Sequence, residues 1–320
     1  MTKTRTTIVS VVGCLGLLLG GLLLGIVTYA VSNRFATETP PNVEHVRVDP
    51  RDSLASSPTS LSTVIDRAIE AGNRLRKDVK DYTATLHRRE RIGATLMDSQ
   101  SMAIKALSRQ YSNTPDQEAN SSQGTIVSTE PINPVKLRTF SRGLHVYLKF
   151  LSPASMAGRE VIWAEGKNNN RIIAHEAGIF NLISVNLDPN GDLAMMGSKY
   201  PITEIGIEKL IDKLIERGRK DATLEPAEVT VTPNSLLGNA ACDRIRIVHV
   251  RKLDGFDFHI AEVWIDPKHE LPVYYASYDW PATPGDPPPL IEEYAYHDLK
   301  INVGLSEADF DPKNSAYQFP

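Results

Sequence analysis

Cysteine is nearly absent. The 320 residues hold two, Cys14 and Cys242. Cys14 lies in a long apolar run, so Cys242 has no partner in the rest of the chain. An intrachain disulfide in the folded part is excluded, as is a cysteine-rich zinc site, and stability must come from an ordinary core. Runs of one charge are missing too. The net charge is −4, no Lys/Arg run or basic aromatic stripe occurs, and no nucleic-acid partner is expected. Catalytic signatures are equally scarce. Eight His occur without a His-Glu-x-x-His: His175-Glu176 is followed by Ala, Gly and Ile, so the second zinc ligand is missing. Gly166, Gly178 and Gly191 fit neither a phosphate loop nor a dinucleotide fingerprint, and no Gly-x-Ser-x-Gly elbow appears. Asp188-Pro189-Asn190-Gly191-Asp192 lacks the further ligands of a calcium loop and reads as a tight turn. No metal and no cofactor are implied, and a non-enzymatic role is expected.

What the chain does have begins at its N-terminus. Lys3 and Arg5 precede an uncharged run from Thr6 to Asn33. Its centre, Ile8 to Val31, would span roughly 36 Å as a helix, enough for a bilayer core of ~30 Å. The run exceeds the apolar region of a cleavable signal, and Thr28-Tyr29-Ala30-Val31-Ser32 is a poor cleavage site, which favours an uncleaved signal anchor over residues 1–32. The basic residues keep the N-terminus cytoplasmic. The expected location is therefore the bacterial inner membrane, single-pass, with the main domain periplasmic or otherwise extracytoplasmic. Val11-Val12-Gly13-Cys14 also resembles a lipoprotein box, and lipidation at Cys14 would anchor the chain without spanning. The strongly apolar sequence after Cys14 argues for a cysteine buried in a membrane helix.

Residues 33–60 are rich in Ser, Thr, Asp and Pro (Pro40, Pro41, Pro50, Pro58) and read as a flexible tether with a reach of roughly 30 Å. Residues 61–320 are expected to form one α+β domain. Leu61–Val79 has helical spacing, with Ser60 or Ser62 as cap. A second amphipathic helix starts at Thr203 as its cap, carries the stripe Ile207, Leu210, Ile211, Leu214 and Ile215, and stops at Gly218. Strands are predicted at Tyr82–Arg91, Met97–Ser108, Leu144–Phe150, Val161–Glu165, Arg171–His175, Glu228–Thr232, Cys242–Arg251, Phe258–Asp266, Leu271–Asp279 and Leu290–Ile301. Gly166-Lys167-Asn168-Asn169-Asn170 suits a hairpin turn, since Gly and Asn tolerate positive φ. The polar segment 113–134 breaks the pattern as a solvated insertion, and Pro281–Pro289 is an irregular loop. Strands that follow one another without crossover helices predict an antiparallel sheet with a few helices on one face.

Two stretches resemble known families. Val146-Tyr147-Leu148-Lys149-Phe150-Leu151, Gly158-Arg159-Glu160-Val161, Glu165-Gly166-Lys167-Asn168, Ala174-His175, Leu187-Asp188-Pro189, Leu193-Ala194-Met195 and Tyr200-Pro201-Ile202-Thr203-Glu204-Ile205-Gly206 are similar to the bacterial family catalogued as domain of unknown function 1571. That similarity covers roughly Leu61 to Phe319, with 113–134 as extra sequence. Val263-Trp264-Ile265-Asp266-Pro267-Lys268, Leu271-Pro272-Val273, Tyr296-His297-Asp298-Leu299-Lys300-Ile301-Asn302 and Asp309-Phe310 resemble the closing hairpin of the periplasmic lipoprotein-carrier fold. This second resemblance implies a curved antiparallel half-barrel covered by helices that holds acyl chains on its concave side. The hairpin has an ordinary reading as well: Asp-Pro turns, Leu-Pro starts the return strand, and the alternating apolar residues face a core.

The candidate apolar lining is Phe150, Leu151, Met156, Trp163, Leu193, Met195 and Met196, since Met and aromatic side chains suit an adaptable lipid cavity and equally a core. Phe180, Leu182, Ile183 and Leu187 fit a flap or a short helix. The candidate polar cluster is Arg159, Glu160, Glu165 and His175, brought close if the two strands around the Asn-rich turn pair. It would recognise a polar headgroup, or fix a turn as an Arg–carboxylate pair. The expected role is binding of a lipid, lipoprotein or other apolar ligand. A scaffold or sensor domain for another envelope protein is the alternative, and a hydrolase using His175 and Glu165 stands behind both. A dry apolar cavity of at least ~300 Å³ would favour lipid binding.

Overall fold

In a computed structural model the described residues are 56–110, 142–178 and 182–320. The expected membrane segment, the tether up to residue 55 and the insertion at 113–134 lie outside them. Among the described residues no helix is long and apolar enough to cross a membrane.

The strands are β1 (Ser57–Thr59), β2 (Asp81–Ile92), β3 (Thr95–Leu96), β4 (Gln100–Gln110), β5 (Arg142–Ser152), β6 (Glu160–Ala164), β7 (Ile172–His175), β8 (Val185–Leu187), β9 (Glu228–Leu237), β10 (Ala240–Val248), β11 (Ile260–Asp266), β12 (Leu271–Tyr278) and β13 (Leu290–Ile301). The helices are α1 (Leu61–Asp78), the single turn α2 (Asp192–Met195) and α3 (Ile207–Asp221). All strands join one antiparallel sheet in the order β1-β9-β10-β11-β12-β13-β2-β4-β5-β6-β7-β8, with β3 hairpinned onto β2. The large open antiparallel sheet with few helices makes the chain α+β. The final strand, β13, sits inside the sheet between β12 and β2.

The core follows from strand alternation. Tyr82, Ala84 and Leu86 of β2, Met102, Ile104 and Ala106 of β4, and Val146, Leu148 and Phe150 of β5 share one buried cluster with Ile245, Ile247, Val263 and Tyr275. The same cluster takes in Leu61, Val64, Ile65, Ile69 and Leu75 of α1 and Ile207, Ile211 and Ile215 of α3. Both helices thus bury one stripe on one face of the sheet. Ser60 caps α1 by accepting from the Thr63 amide at 3.1 Å.

Three expectations need correction. Ser57–Thr59, read as the end of the tether, pairs with β9 as an edge strand, a place where Pro58 is tolerated because only one side must pair. Helix α3 begins at Ile207, not after Thr203. Residues Ile202–Glu204 form a separate 3₁₀ turn, and Gly206, at φ 107°, is the N-cap. Gly218 does not end α3. A Cβ there would stand 2.9 Å from Ile65 Cγ1, so this glycine lets the two helices approach, and α3 runs on to Asp221.

Candidate functional site

Of the seven residues expected to line a cavity, Phe150 is core and Met156 packs partly buried against it. Leu151, Leu193 and Met196 are exposed and Met195 is half-buried. Phe150 and Leu151 are adjacent in one strand and point to opposite faces, so they cannot line one space. Trp163 is buried, its indole N–H donates to the Asn170 carbonyl at 3.2 Å, and it alone of the seven lines either cavity described below. Exposed Leu182, Ile183, Val185, Leu193 and Met196 lie within residues 182–196, around the edge strand β8. Phe180 lies outside the described residues.

Two of the four polar candidates meet. Glu160 and His175 are cross-strand partners in β6 and β7, and His175 Nε2 lies 3.0 Å from Glu160 Oε2. Neither side chain reaches solvent. Tyr147 donates its hydroxyl to Glu160 Oε1 at 3.0 Å, Lys149 Nζ stands 3.3 Å from the same oxygen, and the Gln318 amide donates to Oε2 at 2.8 Å. The other ring nitrogen of His175 faces the Glu176 carbonyl at 2.8 Å, and Phe319 packs edge-on at 4.5 Å. Burial opposes the charge on Glu160, but the bonds from His175, the Gln318 amide, Tyr147 and Lys149 hold its carboxyl below the ordinary value. The cluster is a closed clasp on the C-terminal segment. Arg159 instead pairs with Glu176 at 2.7 Å, and Glu165 accepts from the Leu144 amide at 3.2 Å.

A second buried network joins α3 to the sheet. Glu90 and Glu292 are cross-strand partners in β2 and β13. Arg217 donates to Glu292 Oε1 at 2.7 Å, to the Tyr275 hydroxyl at 2.8 Å and to the Tyr200 hydroxyl at 2.6 Å. Lys199 Nζ and the Tyr200 hydroxyl reach Glu292 Oε2, while Tyr294 and the Lys199 amide serve the two oxygens of Glu90. Burial again opposes the charge on Glu292, and Arg217 and Lys199 outweigh it, so its carboxyl lies below the ordinary value. All four carboxylate oxygens are satisfied, which fits a rigid structural junction.

The space that remains lies between the helices and the sheet. A cavity of about 260 Å³ is walled by Leu61, Ile65 and Ala68 of α1, Leu214 and Gly218 of α3, and Ile245, Ile247, Ala261 and Val263 of β10 and β11. Its mouth is charged. Arg67 pairs with Asp243 at 3.9 Å and Arg74 with Glu270 at 2.9 Å, so exposed ion pairs link α1 to the sheet side. Each such pair is worth at most about 1 kcal/mol, which makes the mouth easy to open. At the other end sits Asp221, the last residue of α3, buried at 1 % exposure. Its Oδ2 lies 3.1 Å from His249 Nε2. A second cavity, about 440 Å³, is ringed by Arg76, Lys80, Glu165, Glu204, Glu208, Lys209 and Asp212 and is slightly more polar in its lining. Arg76 there is held by Glu208 at 2.8 Å and by Asp212. Among the described residues no group of three His, Cys, Asp or Glu is placed to hold a metal ion.

Asp221, His249, Arg217 and Glu292 were not singled out by sequence. One signal was available: residues 243, 245, 247 and 249 alternate as Asp, Ile, Ile, His, polar at both ends of an apolar strand face. Glu292 had none, because its partners come from remote segments.

Comparison with known proteins gives a family. A model described as "Protein of unknown function (DUF1571)" matches residues 79–319. No curated protein matches the chain. Among solved structures it is similar to a DUF1329 family protein from Desulfovibrio piger, at 10% identity over 79% of this chain and 98% of that one, with a TM-score of 0.35. A putative outer membrane lipoprotein-sorting protein domain from Vibrio parahaemolyticus matches at 12% identity over 77% and 97%, TM-score 0.32. The Pseudomonas aeruginosa MucA/MucB complex matches at 12% identity over 78% and 60%, TM-score 0.37. On the family match, which runs from the end of α1 to residue 319, the chain belongs to the DUF1571 family.

Proposed function

We propose that this chain is a membrane-tethered, extracytoplasmic binding protein that takes a single apolar chain into the space between its two helices and its sheet. One observation carries the reading: the 260 Å³ cavity with largely aliphatic walls, a mouth held by weak ion pairs and the buried Asp221 at its other end. The Glu160 and Glu292 networks already have partners for all their carboxylate oxygens, which supports a structural reading of both. The cavity is a little below the ~300 Å³ of a typical small-molecule site, which suits one chain better than the several acyl chains of a mature lipoprotein.

A half-barrel of lipoprotein-carrier type accounts for the shared core. From β10 to β5 the sheet path takes six steps, roughly 29 Å at the usual strand spacing, yet strands at both ends contribute to one cluster around two helices. A sheet curled around α1 and α3 does this; a flat one would not. The apolar run 8–31 and the tether after it support residence at the inner membrane, with the cavity outside the cytoplasm.

The test uses the full-length chain, released from detergent micelles in a mass spectrometer that preserves bound molecules, with 1-decanol as probe. One decanol per chain is expected. Ala68→Phe, which fills the cavity from α1, is expected to weaken uptake roughly tenfold or more while the fold is kept. Equal uptake by the filled variant would overturn the reading.

A further inference from the structure

The buried end of the cavity is not apolar. Asp221 lines it, is buried to 1 % exposure, and has one oxygen, Oδ2, engaged by His249. The other oxygen, Oδ1, is buried without a hydrogen-bond partner. His249 does not serve it in this arrangement, and its own Nδ1 is likewise buried without a hydrogen-bond partner. Its ring is stacked on Phe256 at 3.8 Å between centroids and flanked by Phe258 at 4.9 Å. A buried carboxylate oxygen left unpaired is costly. Position adds to the cost, because Asp221 ends α3, where the last carbonyls of the helix already concentrate negative charge. The neighbouring cation offers no relief: Lys220 Nζ is taken by Asp257 at 3.0 Å and 3.1 Å. Arg217, which also lines the cavity, gives its guanidinium to Glu292, Tyr275 and Tyr200.

We propose that Asp221 Oδ1 is the head-group acceptor of this cavity, and that its ligand is a single-chain amphiphile ending in a hydrogen-bond donor, a hydroxyl or an amine. This inference rests on the cavity reading above and deepens it. The length agrees. Asp243 at the mouth and His249, the residue after β10, are six residues apart, roughly 20 Å of extended chain. Ile245 and Ile247 between them face the alkyl portion. The donor enters first and the tail end lies toward the ion-paired mouth. A fatty carboxylate is the wrong class, since it would bring a second negative charge against Asp221 in a dry site.

The full-length chain is titrated separately with 1-decanol, decylamine and decanoate in the same mass-spectrometric assay. Decanol and decylamine are expected to bind roughly tenfold or more tightly than decanoate, the two differing by which donor Asp221 prefers. Asp221→Asn keeps the shape and the His249 contact but removes the charge, and is expected to erase most of that preference. The wild-type ranking alone decides the matter if the variant does not fold. Equal binding of the three probes overturns the head-group assignment and leaves the cavity reading standing. A preference for decanoate also overturns it, because the head would then be read by Arg217. Absence of any adduct, or adducts that persist in Ala68→Phe, overturns the cavity reading and this assignment with it.

Discussion

Glu160→Gln separates the two readings of the Glu160–His175 cluster, a structural clasp or a recognition site. The carboxylate accepts from Tyr147, His175 and the Gln318 amide and stands 3.3 Å from Lys149 Nζ. A glutamine supplies one acceptor oxygen and one amide that only donates. If its oxygen faces Tyr147 and Lys149, its amide confronts the Gln318 N–H, and His175 Nε2 can accept from it only as the neutral Nδ1–H tautomer, without the charge-assisted bond. The reverse orientation abandons Tyr147 and Lys149. Hydrogen bonds to a charged group are worth ~1.5–3 kcal/mol each, and Lys149 recovers part of its loss from water. A net destabilisation of about 3 kcal/mol follows, near the lower end for breaking a buried charged pair. Urea unfolding of the full-length chain reads this directly, and limited proteolysis of the C-terminal segment should accelerate in parallel. Phe319→Ala should couple to it, since Phe319 packs on His175, so the double variant loses less than the sum of the two. A loss below about 1 kcal/mol, with the C-terminal segment still protected, would refute the clasp. Weakened decanol uptake at unchanged stability would give the cluster a recognition role instead.

Acid should act through the same groups. The folded carboxyls of Glu160 and Glu292 lie below their ordinary values, so in weak acid the unfolded chain binds more protons than the folded one. Their stabilisation is complete above the ordinary glutamate range and is lost as pH falls through the folded values. Thermal midpoints between pH 7 and pH 3 should fall accordingly, less steeply in Glu292→Gln, and a flat profile would contradict the buried networks. Gly206→Ala should destabilise by about 1–3 kcal/mol, because φ is 107° and the new Cβ would sit 2.8 Å from the Tyr82 hydroxyl that accepts the Ile207 amide. An unchanged unfolding midpoint would count against that geometry.

The sheet was largely legible because its strands announce themselves locally. Alternation placed β4, β5, β12 and β13 within a few residues, and the three consecutive asparagines at 168–170 do take positive φ in the β6–β7 turn. Legibility failed where one residue type serves two purposes. Thr203 has the chemistry of a cap but lies inside a 3₁₀ turn, and Gly218 has the look of a helix stop but serves close packing against Ile65. The sites failed for a deeper reason. Glu90 and Glu292 become neighbours only through the β2–β13 register, and Asp221 finds His249 only when α3 lies on β10. No local period encodes such meetings. The seven apolar candidates were grouped by nearness in sequence, whereas the cavity draws on α1, α3, β10 and β11.

The place of β13 has a consequence for how the chain comes into being. The ladder from β2 to β8 and the ladder from β9 to β12 each form between strands close in sequence, but they meet only through β13, the last strand to be made. Until then β2, the longest strand together with β13, offers its unpaired edge to any extended segment nearby. Joining the halves is a long-range closure that comes late and slowly. Truncation anywhere before Leu290 therefore removes the seam itself, not an end, and leaves two half-sheets whose exposed edges make aggregation their natural fate.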